Sequence, residues 1–192
     1  MGIVSTSSIG SIPIGPWTPL FQQLGYQADG VTLEFPWIGD KLVEWDKDTK
    51  EVVWSWDTFD HYSMADYDQL GGTWDQAYFD LQYDWTHMNA AFFSDEENAL
   101  YISTRHLSRI TKIDYASGGV IWNLGHEMLS GDVTMGHDLG FSFQHGLQLT
   151  EDGHIVTFDN GNLSETFLDA DFQTTRALEI QVSEDENDLT AN

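Results

Sequence analysis

Ile113-Asp114-Tyr115-Ala116-Ser117-Gly118-Gly119-Val120-Ile121-Trp122 is the stretch of sequence that decides the fold. Its apolar ends and its turn-forming centre predict a strand, a tight turn and a second strand. The same pattern occurs 68 residues earlier, in Trp45-Asp46-Lys47-Asp48-Thr49-Lys50-Glu51-Val52-Val53-Trp54, and a third copy begins at Arg176–Ile180. Repeats longer than about 40 residues that each contain several short strands are typical of β-propeller blades.

Short apolar runs between the repeated hairpins supply the other strands of each predicted blade. They are 90–93, 99–103, 146–149 and 154–158. Each blade then has about four strands, and the chain supplies about three blades, whereas closed propellers have about four to eight. We therefore expect an all-β, partial β-propeller at 31–182, between an irregular lead-in at 1–30 and an acidic tail at 183–192.

The segment 58–83 joins two predicted strands and is rich in Asp, Tyr and Gly. A connection longer than about 12 to 15 residues without regular structure is usually functional or disordered. The many aromatic side chains of this segment favour a packed loop beside the functional site.

The charge balance excludes two classes of partner. The chain has 32 acidic and 7 basic residues, which gives a formal net charge of −25, and such a surface repels nucleic acids and anionic membranes. A surface adapted to high salt explains the acidity most simply, and a specific cation-binding role is the alternative. The absence of cysteine excludes disulfides, thiolate metal sites and a cysteine nucleophile.

The sequence gives no sign of a targeting or membrane segment. Residues 1–19 have neither a basic region nor a sustained apolar region, so they do not resemble a signal peptide. No run approaches the roughly 18 apolar residues of a membrane-spanning helix, so we expect no membrane insertion. These observations leave the localisation of the protein open.

Two histidines are the strongest candidates for chemistry. His87 lies in Asp84-Trp85-Thr86-His87-Met88-Asn89 and His145 lies in Phe143-Gln144-His145-Gly146, and both have polar and aromatic neighbours. An imidazole with a pKa of about 6.5 can act as a neutral nucleophile or as a cationic hydrogen-bond donor. Asn89 is two residues after His87, so on a strand it faces the same side and could orient the imidazole.

Each candidate also has a purely structural explanation. His87 could cap a strand, His145 could belong to a hairpin, and Asn89 could cap a turn. Arg105 could serve catalysis or bind carbonyl groups of a blade. Surface or turn positions fit His106, His126, His137 and His154. A histidine-based metal hydrolase is the weaker choice, because the sequence has no His-x-His or His-x-x-x-His pair, and no metal is expected.

Several motifs, taken in order, resemble those of the arylsulfate sulfotransferase family of β-propeller enzymes. They are Trp-Thr-His-x-Asn at 85–89, Tyr-Ile-Ser-Thr-Arg-His at 101–106, Lys-Ile-Asp at 112–114, Gln-His at 144–145 and Phe-Asp-Asn-Gly at 158–161. The resemblance covers residues 30–182 and depends on the order and spacing of these motifs together.

This resemblance implies a six-bladed propeller with its active site in the central channel. It also implies transfer of a sulfuryl group from an aryl sulfate donor to a phenolic acceptor, through a transiently sulfated histidine and without a nucleotide sulfate donor or other cofactor. His87 and His145 match the two histidines that hold the sulfate oxygens, while the attacking histidine of the family lies beyond Asn192. The chain is therefore expected to be a fragment with little turnover of its own.

The main departure from the family concerns an arginine. In the family it follows the Asp-Asn-Gly motif within a few residues, whereas Asn162-Leu163-Ser164-Glu165 stands there in this chain. Arg105 is then the catalytic candidate, with Arg109 and Arg176 as substitutes, and Arg176 is assigned to substrate binding. Asn89 and Trp85 are the other predicted substrate-binding residues, the indole by stacking on the aryl ring.

The resemblance also suggests a periplasmic or extracellular location, and it leaves a homo-oligomer open. The alternative function is a non-catalytic β-propeller segment that binds a ligand or a protein partner. The reading frame after Asn192 distinguishes the two: further blades with a histidine that faces the channel favour the enzyme, and a stop codon favours the binding segment.

Overall fold

Short β-strands dominate the residues that the computed structural model describes, 1–185 and 188–192. The strands are β1 (Gly2–Gly10), β2 (Phe35–Trp45), β3 (Val52–Asp57), β4 (Tyr83–Asp84), β5 (Met88–Ser94), β6 (Ala99–Thr104), β7 (Arg109–Asp114), β8 (Val120–Gly125), β9 (His145–Leu149), β10 (Ile155–Asp159), β11 (Arg176–Ile180), β12 (Val182–Asp185) and β13 (Asp188–Ala191). The helices are α1 (Thr18–Gln23), α2 (Thr58–His61), α3 (Thr73–Asp80) and α4 (Ser164–Phe167), and His137–Leu139 is a 3₁₀ turn. The predicted all-β class is confirmed.

The chain divides into two compact units, Met1–His87 and Met88–Asn192. The first unit contains β1 to β4 with α1 to α3, and the second contains β5 to β13 with α4. Among the helices of the described residues, none has the length and apolar character needed to cross a membrane.

The sheet of the first unit is built around β2. One edge of β2 pairs antiparallel with β1, from Gly10 opposite Phe35 to Gly2 opposite Val43. The other edge pairs with β3 antiparallel and, nearer its start, with β4 parallel. The structure thus differs from the predicted irregular lead-in at 1–30. The β-branched side chains of the Ser-rich segment favour a strand, and pairing along β2 satisfies its backbone.

Aromatic side chains from the segment 58–83 pack the core of the first unit. Trp74 of α3 is fully buried and stacks on Tyr83, with ring centroids 3.9 Å apart. It also contacts Trp17 at 5.7 Å and Trp37 at 5.6 Å. The segment is therefore packed, as predicted. It contains the helix α3, which the sequence pattern did not indicate.

The second unit is built on an antiparallel meander of four strands in the order β5-β6-β7-β8. Sheets of four strands are the blades of a β-propeller. A second sheet has the order β11-β10-β9. The core between these elements consists of the buried residues Ala99, Tyr101, Ile110, Trp122, Leu124, Met135, Phe141, Leu147, Ile155, Ile180 and Ala191.

The predicted acidic tail at 183–192 contains regular structure. β12 pairs antiparallel with β13, with Val182 opposite Ala191, and Ala191 is buried in the core. The charged composition of this segment concealed the alternation of side chains that allows it to pair. Glu186 and Asn187 of the predicted tail lie outside the described residues.

The repeated hairpin is confirmed in atomic detail. β2 with β3, and β7 with β8, both pair antiparallel with a register shift at the same step, after Glu44 in the first and after Lys112 in the second. In each turn an aspartate carboxylate accepts a backbone N–H three residues on: from Thr49 to Asp46 at 2.7 Å, and from Ser117 to Asp114 at 2.9 Å. The 68-residue repeat therefore reproduces both the register and the turn.

Gly161 is a position where the second unit has no room for a side chain. Its φ is +64°, and a Cβ built on it would overlap the carbonyl oxygen of Thr174. Gly153 also has a left-handed φ, +80°, but no atom lies near its Cβ position. We expect Gly153→Ala to lower the unfolding free energy by about 1 kcal/mol and Gly161→Ala to lower it by at least about 2 kcal/mol more. Urea denaturation measures both, and equal losses would contradict the close approach at Gly161.

Candidate functional site

In the first unit, His87 follows a buried backbone anchor. The backbone N–H of Trp85 donates to the carbonyl oxygen of Ile38 at 2.8 Å. The Thr86 hydroxyl donates to the Asp40 carboxylate at 2.7 Å. His87 then adopts a left-handed φ of +48°, and its side chain is 44% exposed. Strained residues of this kind cluster at functional sites, and here the anchor presents an imidazole to solvent.

The Asp84 carboxylate holds this imidazole. Nδ1 of His87 lies 2.5 Å from Oδ2 of Asp84. A carboxylate at Nδ1 fixes the tautomer and the ring orientation.

In the second unit, three predicted site residues meet at Phe143-Gln144-His145. His145 is the first residue of β9, and β9 lies beside β5. From β5, Nδ2 of Asn89 donates to the carbonyl oxygen of Gln144 at 2.9 Å. From the turn after β6, the Arg105 guanidinium lies over the Phe143 ring, 4.8 Å from its centroid. One short segment therefore brings Asn89, Arg105 and His145 together.

His145 is exposed, whereas the two residues before it are buried. Its imidazole packs against Phe158, with ring centroids 5.0 Å apart. The next residue, Gly146, has a φ of +71°, and its carbonyl oxygen accepts the Thr157 hydroxyl at 2.8 Å. Support from one aromatic ring leaves the imidazole accessible to a ligand.

Sequence reasoning gave Gln144 no role, yet this residue connects the elements around His145. Its side chain is fully buried, and Nε2 donates to Ser103 Oγ and to the carbonyl oxygen of Arg109, both at 3.0 Å. The available signal was a polar residue directly before a candidate histidine. Its burial could not be inferred, because it depends on β6 and β7 lying against the start of β9.

Arg176 is held in an ion pair with the fully buried Asp159. Its Nε and Nη2 lie 2.9 and 2.7 Å from Oδ2 of Asp159, and Nη2 also donates to the carbonyl oxygen of Leu139 at 3.0 Å. The other oxygen of Asp159 accepts the N–H groups of Ser142 at 2.9 Å and Gly161 at 2.8 Å. The predicted substrate-binding role of Arg176 thus competes with these protein contacts.

The structure places Trp85 in the core of the first unit. The indole is fully buried, and its Nε1 donates to the carbonyl oxygen of Asp66 at 2.6 Å. Its ring contacts Trp37 at 5.6 Å and Phe59 at 5.0 Å. A buried indole cannot stack on a substrate ring in this conformation. The observed contribution of Trp85 is to anchor the backbone before His87.

The remaining histidines of the second unit occupy both buried and surface positions. His106 was predicted at a surface or turn position; it lies in the turn after β6 but is 9% exposed, with its ring 5.7 Å from that of Phe143. Nδ1 of His154 lies 2.8 Å from Oε1 of Glu179 at the surface. His126 stacks on Phe167, with ring centroids 4.2 Å apart.

The sequence model of the arylsulfotransferase (ASST) family matches residues 25–191. The chain belongs to the arylsulfotransferase family. The predicted resemblance is therefore confirmed, and the match includes every predicted site residue. A comparison with curated protein sequences gave no match.

An arylsulfotransferase must place hydrogen-bond donors around a group whose oxygens share negative charge. Three of the predicted site residues carry such donors: in the first unit the exposed imidazole of His87, and in the second unit the exposed imidazole of His145 and the half-buried guanidinium of Arg105. Each is supported from behind by a specific contact: a carboxylate for His87, and an aromatic ring for His145 and Arg105.

Two arginine variants separate structural and ligand-facing roles. We expect Arg176→Ala to lower the unfolding free energy by about 3 kcal/mol, because the buried carboxylate of Asp159 loses its partner. Arg105→Ala should cost about 1 kcal/mol, the strength of an accessible cation–π contact. Urea denaturation measures both, and a larger loss in Arg105→Ala would contradict this assignment.

His126 makes the stability depend on pH. Burial, followed by the nearby charge of His137, lowers the pKa of His126. The unfolded chain, with a histidine pKa of about 6.5, therefore takes up the proton first as the pH falls. The stability present above pH 6.5 is then lost progressively toward the lower pKa of the folded state.

We expect His126→Phe, which keeps an aromatic ring beside Phe167, to show a smaller loss of unfolding free energy than wild type between about pH 7 and 5.5. The measurement is urea denaturation at a series of pH values. Gln148→Phe, a substitution of an exposed residue that does not titrate, is the control and should follow the wild-type profile. Parallel profiles for His126→Phe and wild type would refute the contribution of His126.

Proposed function

We propose that this chain carries the sulfate-holding part of an arylsulfate sulfotransferase site, which transfers a sulfuryl group from an aryl sulfate to a phenolic acceptor. The observation that carries the proposal is the arrangement at His145. There, Arg105 and Asn89 contact the two residues that precede an exposed imidazole. Family membership supports the reaction class.

In the proposed reaction, the bond between sulfur and the aryl oxygen breaks while a bond forms between sulfur and a histidine nitrogen. The aryl oxygen leaves as a phenolate and takes up a proton. The acceptor oxygen, after losing its proton, then attacks sulfur and releases the histidine. The resemblance puts the attacking histidine after Asn192, so His87 and His145 hold the sulfate oxygens in this proposal and do not attack.

The other predicted residues take supporting parts. Nδ2 of Asn89 has two N–H groups; one bonds the carbonyl oxygen of Gln144, and we assign the second to a sulfate oxygen. Arg105 supplies a fixed positive charge. Arg176 acts through Asp159, and Trp85 acts through the backbone that leads to His87.

The acidic composition makes local donors essential. With a net charge of −25, the protein repels an approaching aryl sulfate at long range. Salt screens this repulsion, since the Debye length falls to about 3 Å at 1 M ionic strength. Hydrogen bonds at contact distance are screened much less. Imidazole and guanidinium groups at the site can therefore hold the anion in spite of the surrounding carboxylates.

Alanine variants of the two histidines test the proposal. In a full-length version of the protein, we expect His87→Ala and His145→Ala each to lower the rate of nitrophenolate release from 4-nitrophenyl sulfate, with phenol as acceptor, by at least about a hundredfold. His154→Ala removes an imidazole that pairs with Glu179 at the surface, and as the matched control it should keep the wild-type rate.

If the 192-residue chain turns over slowly, calorimetric titration with 4-nitrophenyl sulfate measures its binding affinity instead. Each histidine variant should then bind 4-nitrophenyl sulfate at least about tenfold more weakly, because it loses one charge-assisted hydrogen bond. Binding without turnover in a full-length version of the protein would favour the non-catalytic binding segment. Wild-type rates and affinities in both variants would contradict the assignment of His87 and His145 to the site.

A further inference from the structure

We propose that Gln144 is a positioning residue whose buried side chain fixes the backbone that presents the His145 imidazole. The proposal rests on the proposed function for the ligand that His145 meets, but its geometry stands independently. It ties the orientation of a histidine on β9 to the strands β6 and β7 of the neighbouring sheet.

The first support is the set of contacts that Gln144 makes. Its Nε2 donates to Ser103 Oγ of β6 and to the carbonyl oxygen of Arg109 of β7, both at 3.0 Å. Its own carbonyl oxygen accepts Nδ2 of Asn89 on β5 at 2.9 Å. One residue is thus fastened to three strands of the meander.

These contacts determine which end of the side-chain amide faces the sheet. The partner at Arg109 is a backbone carbonyl oxygen, which accepts hydrogen bonds and cannot donate one. The nitrogen of the Gln144 amide must therefore lie on that side. Glutamate, with nearly the same shape, would set an oxygen against the Arg109 carbonyl, and the side chain of methionine would fill the space without hydrogen bonds.

The second support is the strained backbone before Gln144. Phe143 has a φ of +53°, a conformation that is unfavourable for a non-glycine residue and persists only where its surroundings hold it. Its N–H donates to Ser108 Oγ at 3.1 Å, and its ring lies under Arg105. Release of the Gln144 side chain would allow this backbone to relax and to turn the peptide that leads into His145.

The third support is the direction of the two side chains. Gln144 is fully buried, whereas the next residue, His145, is exposed. Gln144 lies directly before β9 and His145 is its first residue, so the two neighbouring side chains lie on different sides of the backbone. Insertion of the Gln144 amide between β6 and β7 therefore points the imidazole of His145 away from the meander, where a ligand can reach it.

The test uses Gln144→Met in the 192-residue chain, with Gln148→Met as the matched control. Gln148 lies on the same strand but is exposed. The first readout is the ¹⁵N order parameter of His145, which we expect to fall from the rigid range near about 0.85 to below about 0.6 in Gln144→Met. In Gln148→Met it should keep its wild-type value.

The second readout is the affinity for 4-nitrophenyl sulfate. We expect the Kd to rise at least about tenfold in Gln144→Met, because a misplaced donor loses its contact with the anion, and to stay unchanged in Gln148→Met. Ser103→Ala removes one of the hydrogen bonds of Nε2. It should give an intermediate change in both readouts, and it provides the test if Gln144→Met does not fold.

A purely structural role gives a different pattern. It would lower the stability of Gln144→Met while the order of His145 stayed at its wild-type value, and that result would overturn the proposal. If wild type fails to bind the aryl sulfate, the proposed function fails. The order parameter then decides the positioning claim alone: loss of order at His145 supports it, and unchanged order refutes it.

Discussion

Buried side-chain hydrogen bonds to the backbone of residues 142–146 are the constraint on which the candidate site of the second unit depends. Ser142 is held by Asp159, Phe143 by Ser108, and Gly146 by Thr157. One such bond contributes a net stabilisation of about 1 kcal/mol, but a buried group that loses its partner costs about 1 to 3 kcal/mol. Because the bonds come from β10 and from the turn after β6, a shift of the segment would break several of them. The backbone beside the exposed His145 is therefore held by both of these elements.

The repeat explains how the few basic residues are distributed. Lys41 and Arg109 are 68 residues apart and occupy the same register, Lys41 opposite Asp57 and Arg109 opposite Gly125. Arg176 begins the corresponding strand of the next sheet and pairs with Asp159. We attribute the basic side chain at this position of each repeat to the stability of its sheet. Arg105 lies in the turn after β6, outside this pattern.

Features that depend on the local sequence pattern could be predicted from the sequence, and features that depend on tertiary contacts could not. The repeated hairpin was predictable because its strands, turn aspartates and tryptophans recur with a constant spacing. β1 was not, because its serines favour turns and its strand forms through pairing with β2. The exposure of His87 and His145 agrees with their selection as site residues. The burial of Trp85 and Gln144 could not be predicted, because it depends on residues distant in sequence. Trp85 bonds to Asp66, and Gln144 bonds to β6 and β7.

The Asp-Asn-Gly segment keeps its structural contacts in this chain, although the arginine that follows the motif in the family is absent. In the resemblance, an arginine follows this motif and neutralises the sulfuryl group. Here Arg176, on the next strand, forms an ion pair with Asp159, and the carboxylate neutralises its charge. A neutral pair contributes little to the binding of an anion. Under the proposed function, Arg105 is the guanidinium assigned to the sulfate in place of that arginine.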